Sequence, residues 1–155
     1  MMDYLPCLYS FIMCFAYCYR VHLKGKNMFF AALGGTLGWF VFLLFQPLHN
    51  DLLQYFFGTV AFSAYAELMA RINKCPVTGF LIISMLPMVP GSGIYQTMEY
   101  AISGNTDLFL ETGMHTLGIA GSLAIGVLLV SSTMRLFVNI RTQRLSKKQT
   151  GTGEE

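Results

Sequence analysis

Long runs without charged residues alternate with short polar segments along the whole chain. The runs cover residues 4–19, 28–50, 52–66, 75–98 and 112–134. Because a bilayer crossing needs roughly 20 apolar residues, we expect five transmembrane helices, with flanking residues completing the short first and third spans. Apolar and polar residues do not alternate with a period of two, which favours helices over a barrel. The pattern predicts an all-α, polytopic membrane protein.

Composition supports a location in the lipid bilayer. Of 155 residues, 54% are hydrophobic and only 12% are charged, whereas soluble domains carry about 25% charged residues. The mean hydropathy is +0.53. The sequence contains no P-loop, Rossmann fingerprint, zinc-ligand spacing or nucleic-acid motif. We therefore expect no cofactor, no nucleic-acid partner and no enzymatic activity.

The basic residues predict the orientation. In the five-span arrangement, all ten Lys and Arg residues fall on one side of the membrane, which the positive-inside rule identifies as cytoplasmic. The N-terminus is then outside, in a cell inner (plasma) membrane. We expect a five-helix transmembrane domain over residues 1–140 and a polar, frayed cytoplasmic tail over 141–155. The basic residues are Arg20, Lys24, Lys26, Arg71, Lys74, Arg135, Arg141, Arg144, Lys147 and Lys148.

Small residues recur at helical spacing in two of the predicted spans. Gly34 and Gly38 lie four apart in span two, and Gly118, Ser122 and Gly126 share a face of span five. Such faces allow helix backbones to approach closely in lipid. Many carriers pair two related halves about a central site. A five-helix bundle with so many faces of small residues therefore indicates one half of a transporter. The four cysteines have no metal-site spacing and are interpreted as small packing residues.

Few ionisable residues lie within the spans. Glu67 is predicted near the inner end of span three, Glu99 follows span four, and His115 begins span five. An acid in the membrane is a candidate transport residue because its desolvation is costly. A structural role is the alternative for both acids, for instance a salt bridge from Glu67 to Arg71 at i,i+4.

Span four contains the segment LPMVPGSGIYQTMEY, which interrupts its own helix. Pro87 and Pro90 lack N–H groups and clash with carbonyls one turn earlier, so the helix should end within the membrane. Gly91 and Gly93 permit unusual backbone angles or close approaches, and we expect Ser92 to cap a second half-helix. The free N–H groups there would attract a carboxylate. The alternatives are a kink used only for packing, or a span that ends at Val89.

The same segment resembles the P-x-x-P-G-x-x-x-Y signature of the threonine/serine exporter family. The five-span layout, the polar outer loop and the glycine-rich last span ending at Arg135 also match. The chain is similar to the small, YjjB-like subunit of split members. The resemblance implies export of small amino or carboxylic acids, driven by ion gradients, together with a larger YjjP-like membrane subunit.

The expected substrate path is formed by the broken span and the two acids. Its residues are Pro87, Pro90, Gly91, Ser92, Gly93, Tyr95, Gln96, Glu67 and Glu99.

Several alternatives stay open at this point. A split member could export dicarboxylates of the succinate type instead of threonine or serine, and a homo-oligomer is compatible with the sequence. The chain could also be an assembly subunit whose partner performs all transport. A serine hydrolase using Ser92 and His115 fits poorly, since neither rhomboid-type G-x-S-G nor the G-x-S-x-G elbow is present.

Overall fold

The protein is almost entirely helical. The computed structural model describes residues 5–21, 25–48 and 50–150, and these ranges contain no strand. The expected all-α fold is confirmed. The helices are α1 (Leu5–Arg20), α2 (Lys26–Leu44), α3 (Asp51–Ile72), α4 (Val77–Met85), α5 (Gly91–Ile102) and α6 (Thr106–Thr150), with 3-10 turns at Gln46–Leu48 and Leu86–Met88.

Left-handed backbone positions separate several of these helices. Gly25, with φ +73°, precedes α2, and Gly104, with φ +75°, lies between α5 and α6. After α3, Lys74 has φ +51°, and the Asn73 side-chain amide donates to the Met69 carbonyl at 3.0 Å. Because left-handed residues end a right-handed helix, these positions set the tight connections of the bundle.

Helices α1, α2 and α3 run antiparallel in succession. The Cys18 thiol, near the end of α1, donates to the Met28 carbonyl at the start of α2. A β-carbon at Gly38, late in α2, would lie 3.1 Å from the Phe62 ring of α3, and one at Gly34 would meet Tyr65 at 3.1 Å. In these contacts, residue numbers fall along one helix as they rise along the next. Each helix is therefore antiparallel to the one before it.

Helix α4 runs in the same direction as α2. The Asn27 side-chain amide donates to Cys75 Sγ at 3.0 Å, and the Ser84 hydroxyl donates to the Ala31 carbonyl at 3.4 Å. Residue numbers therefore rise in the same direction along α4 and α2, so the two helices are parallel.

Helix α6 runs parallel to α3 and antiparallel to α5. A β-carbon at Gly118 would lie 3.1 Å from Leu52, and one at Gly126 would lie 2.7 Å from Thr59. Across the α5–α6 contact, a β-carbon at Gly93 would meet Thr116 Oγ1 at 2.5 Å. The neighbouring pair on the same contact is Gly113 and Thr97, at 3.3 Å. Since α5 opposes α6 and α6 runs parallel to α3, α5 continues in the direction of α4.

The small residues predicted to allow close packing are used inside the bundle. Gly34 lies against Ser84 of α4, Gly38 against Phe62 of α3, and Gly126 against Thr59 of α3. Cys14 and Cys18 are fully buried in the cluster that also contains Phe80 and Ile83. This agrees with their interpretation as packing residues.

Two helices are long and apolar enough to cross a membrane by length and composition, among the residues described. They are Lys26–Leu44 and the part of α6 at Thr106–Val138, with mean hydropathies of 1.7 and 1.9. The bent pair Val77–Met88 and Gly91–Ile102 gives a third if it is one span. Helix α1 has only 16 residues, and α3 extends past the predicted 52–66 to include Glu67 and Arg71. The five-span count remains a prediction.

The polar tail expected over residues 141–155 is helical as far as Thr150. Helix α6 continues without interruption to Thr150 and has 45 residues. No glycine or proline occurs between Gly126 and Gly151, so nothing in this stretch breaks the helix. Tyr4 of the first predicted span, Lys24 and residues 151–155 of the predicted tail lie outside the described residues.

Candidate functional site

The break between α4 and α5 is the feature from which the candidate site is built. Helix α4 ends at Met85, a 3-10 turn covers Leu86–Met88, and α5 begins at Gly91. The two helices are bent by 56°. Pro87 and Pro90 remove two N–H donors from this stretch, so the regular helix cannot continue through it. The predicted helix break is confirmed.

The break lies near the middle of the bundle. A β-carbon at Gly35 would lie 3.3 Å from the Pro87 ring, and Gly35 is close to the centre of α2. Met88 is fully buried and packs against Gly58 in the first half of α3. The chain therefore leaves its helix at about half the height of the surrounding helices.

Two details of the predicted turn are wrong. Pro90, with φ −76° and ψ 62°, occupies the N-cap position without a side-chain cap, so Ser92 lies inside the first turn of α5. Gly91 has no left-handed φ, and a β-carbon there would meet nothing within 4 Å. The glycine that permits a close approach is Gly93, which faces Thr116 of α6. Of the two glycines expected to allow a close approach or an unusual backbone angle, Gly93 does so and Gly91 does not.

Helix α5 has one face against the bundle. Gly93 and Thr97 contact α6 at Thr116 and Gly113, and α5 packs mainly against α6. No residue of α5 is fully buried.

The remaining surface of α5 divides into an apolar and a polar part. Tyr95, Met98 and Ile102 form the apolar part and are 69%, 64% and 88% exposed. Ser92, Gln96 and Glu99, spaced by four and three residues, share one exposed face that we call the polar face of α5. The predicted residues Ser92, Gln96 and Glu99 are thus brought together, with Tyr95 beside them.

The two acids lie on opposite sides of the break. Glu67 is 6% exposed, and its carboxylate accepts from Arg71 Nη2 at 3.3 Å. The predicted i,i+4 salt bridge is confirmed. Tyr65, just before Glu67, is level with Ser84 of α4, whereas Glu99 lies on α5. The fold therefore does not bring Glu67 to the polar face of α5.

His115 contacts an acid of another helix. Its Nε2 lies 3.6 Å from Asp51 Oδ2, and both side chains are more than half exposed. No hydrogen bond joins His115 to Ser92 within the part of the chain that the structure describes. The pair instead connects the beginnings of α3 and α6 at the end of the bundle opposite Glu67.

Sequence reasoning missed a buried polar face on α3. Thr59, Ser63 and Glu67, spaced at i, i+4 and i+8, are all buried. Thr59 donates to the Tyr55 carbonyl at 2.6 Å, whereas the Ser63 hydroxyl has no partner among the described residues. The helical spacing of these polar residues within an apolar span was the signal that could have found them.

Two open grooves lie elsewhere on the bundle. One of about 430 Å³ runs between α3 and α6, lined by Phe56, Val60, Leu129 and Met134 among others. The other, about 330 Å³, is lined by Cys7, Leu37, Phe40 and Tyr65 with their neighbours. Both linings are almost wholly apolar, so acyl chains suit them better than a polar substrate.

The family comparison covers the segment that contains the broken helix. The family model described as Threonine/Serine exporter, ThrE, matches residues 6–133, which include the break and every predicted site residue. The chain belongs to this family. Comparison with curated proteins and with solved structures gave no match. Membership makes the chain a membrane protein of an exporter family, and it confirms the resemblance read from the segment at Leu86–Tyr100.

Proposed function

We propose that the chain is the membrane subunit of a secondary transporter that exports threonine, serine or related small carboxylates. It works with a YjjP-like membrane subunit in the cell inner membrane. The broken pass formed by α4 and α5 lines the substrate path. The dicarboxylate alternative concerns the same path, because both substrate classes present a carboxylate.

The observation that carries this proposal is the helix break at half the height of the bundle. Irregular backbone at membrane depth is tolerated only where protein or a water-filled cavity surrounds it. Discontinuous helices at this depth form substrate sites in many secondary transporters. The first turn of α5 leaves N–H groups without intrahelical acceptors, and these attract a carboxylate. The polar face of α5 begins at the same point with Ser92.

The helix directions support five crossings. Because α1, α2 and α3 alternate, α4 and α5 advance together, and α6 runs parallel to α3, the bundle has the alternation that a five-span protein needs. Helices α1 and α3 are then spans that depend on protein contacts more than on their own apolarity. The long side chains of Glu67 and Arg71 neutralise each other near the end of α3.

The transport proposal is tested by efflux of a preloaded substrate from cells that express both halves. Gly91→Val places a side chain in open space beside the α5 N-terminus, so the complex should assemble while efflux falls at least tenfold. Gly121→Val is the matched control, because a β-carbon at Gly121 also meets nothing within 4 Å. Cells loaded with labelled threonine, serine or a four-carbon dicarboxylate distinguish the substrate classes.

The outcomes separate the alternatives. Normal efflux in Gly91→Val would contradict a path at the break. Loss of the complex in Gly91→Val would favour an assembly role for this segment. Ser92→Ala should reduce efflux less, because the N–H groups of the first turn remain when its hydroxyl is removed.

A further inference from the structure

We infer that Ser10, Trp39 and Gln54 supply the side-chain hydrogen bonds that hold a substrate beside the break between α4 and α5. The inference rests on the proposed function and deepens it, because it names binding residues on α1, α2 and α3 that lie outside the predicted path. The ligand is a small solute that carries a carboxylate and further hydrogen-bonding groups.

Unpaired polar groups in the interior single out these three residues. Among the described residues, three buried side-chain atoms have no hydrogen-bond partner, namely Ser10 Oγ, Trp39 Nε1 and Ser63 Oγ. Gln54 is 4% exposed, and its side-chain amide likewise bonds to no other described residue. Buried donors and acceptors are nearly always paired in folded proteins, so these groups call for a partner from outside the fold.

Ser10 and Trp39 lie one helical turn beyond contacts with the broken segment. A β-carbon at Gly35 would lie 2.5 Å from Cys14 Sγ and 3.3 Å from the Pro87 ring. Ser10 precedes Cys14 by four residues on the buried face of α1, and Trp39 follows Gly35 by four on α2. Because α1 and α2 are antiparallel, both steps lead towards the end of the bundle to which α5 runs. Ser10 and Trp39 therefore flank the chain where it leaves Pro87.

Gln54 has the corresponding position on α3. It precedes Gly58 by four residues, and Gly58 contacts Met88 of the 3-10 turn. Since α3 is antiparallel to α2, this step leads towards the same end of the bundle. Trp39 packs against the buried cluster that contains Met88. The side chain of Met88 thus joins the α2 and α3 sides of the site.

Helix α5 begins at nearly the same height as Gln54. On α6, Gly118 contacts Leu52 of α3 and Thr116 contacts Gly93 of α5. These two contacts are two residues apart, or about 3 Å along α6. Gln54 lies two residues beyond Leu52 in the direction of the break. The first turn of α5, whose N–H groups point back towards the break, therefore lies close to Gln54 in height.

The chemistry of these groups is complementary. The N–H groups of Ser92 and Gly93 form no hydrogen bond within the described part of the chain, and such groups attract a carboxylate. The indole of Trp39 only donates, whereas the hydroxyl of Ser10 and the amide of Gln54 both donate and accept. The three side chains therefore suit the remaining polar groups of the solute.

Aromatic side chains supply an apolar lining beside these groups. The rings of Trp39 and Phe42 stack with centroids 5.2 Å apart, and the Phe42 ring lies 4.8 Å from that of Tyr55. An apolar lining with a few placed hydrogen-bonding groups is the usual composition of a small-molecule site.

Transport kinetics test the three residues in the assembled complex. Inside-out membrane vesicles that contain both halves take up labelled threonine, serine or succinate at varied concentrations. For each solute that the wild type transports, Ser10→Ala, Trp39→Phe and Gln54→Leu should each raise the half-saturation concentration about fivefold, the usual effect of one lost hydrogen bond. The maximal rate and the assembly of the complex should be unchanged. Thr36→Val is the matched control, because this partly buried hydroxyl on α2 donates to the Ala32 carbonyl of its own helix, and it should leave the half-saturation concentration unchanged.

Trp39 provides a second readout because it is the only tryptophan of the chain. The chain is labelled with 5-fluorotryptophan and reconstituted with the unlabelled partner half, so that fluorine NMR detects Trp39 alone. A transported solute should shift this resonance with a midpoint near its half-saturation concentration. Gln54→Leu should raise that midpoint about fivefold. A solute that the vesicles do not take up should leave the resonance in place.

Each outcome supports or overturns the inference. Wild-type half-saturation in all three variants would overturn it, as would a Trp39 resonance that a transported solute does not shift. Lower melting temperatures with unchanged half-saturation would overturn it in favour of ordered water that pairs these groups in a structural role. If a variant does not assemble, the resonance of the wild-type complex still decides. Vesicles with both unmodified halves that transport none of the solutes would refute the proposed function, and the inference with it.

Discussion

The two glycines that flank Ser92 differ in what surrounds them. Gly91 faces open space, whereas Gly93 lies so close to α6 that a β-carbon would be 2.5 Å from Thr116 Oγ1. The Thr116 hydroxyl cannot simply turn away without loss, because it donates to the Thr112 carbonyl at 2.7 Å. Gly93 therefore sets the distance between α5 and α6, and Gly91 leaves room beside the helix terminus.

This difference predicts opposite results for two equal substitutions. Gly93→Ala should lower the melting temperature of the purified protein, because overpacking typically costs 1–3 kcal/mol. Gly91→Ala gains the same helix propensity without a clash and should not lower it. Adding Thr116→Ala to Gly93→Ala removes the opposing atoms and should recover most of the loss. Additive destabilisation in the double variant would contradict the contact.

Some residues of the site were predictable from spacing alone. The pair Glu67 and Arg71 was expected because i,i+4 residues meet on a helix surface, and the two side chains do contact. The Ser92 cap was not predictable in the same way. The Ile94 N–H donates to the Pro90 carbonyl at 3.1 Å, so Pro90 is the N-cap and the helix starts two residues earlier than a serine cap would place it.

At the scale of elements, glycine packing decides how closely α3 and α6 lie. Thr59 of α3 occupies the space that a side chain at Gly126 would need, with Cγ2 at 2.7 Å. The sequence predicted the close approach from the spacing of small residues. It could not predict the partner helix, because the spacing describes one face and not its neighbour. The contact proved to be internal to the chain.

A pair of leucine variants on α6 tests this packing. Gly126→Leu should separate α3 from α6 and lower thermal stability by several degrees, because the new side chain would meet both Thr59 Cβ at 2.9 Å and the Phe56 backbone carbonyl at 3.5 Å. Gly121→Leu is the matched control on the same helix, where a β-carbon meets nothing within 4 Å. Melting is followed by tryptophan fluorescence of the detergent-solubilised protein. Equal melting of the two variants would contradict the α3–α6 contact.

For the whole molecule, the helix directions carry information that hydropathy alone lacks. Helix α3 contains Asp51, Glu67 and Arg71, so it is not an obvious span by composition. Its antiparallel contact with α2 and parallel contact with α6 nevertheless give it a place in an alternating bundle. Helices α4 and α5 likewise advance in one direction, because α5 opposes α6. The five-span count stays a prediction from the sequence, whereas the packing directions of the helices required coordinates.

The orientation of this bundle leads to the last prediction. If every Lys and Arg faces the cytoplasm, the connection between α5 and α6 at Asn105 is outside, and Gln149 near the end of α6 is inside. The four native cysteines are first replaced by alanine or serine in a variant that retains efflux. A single cysteine at Asn105 should then react in intact cells with a membrane-impermeant maleimide. A single cysteine at Gln149 should react only after the membrane is permeabilised, and this second step shows that the residue is reactive. The reverse labelling pattern would refute the orientation, and labelling of both positions from the same side would refute an odd number of crossings between them. Because the two positions lie at opposite ends of α6, the result depends on α6 crossing the membrane and not on the fate of the shorter α1.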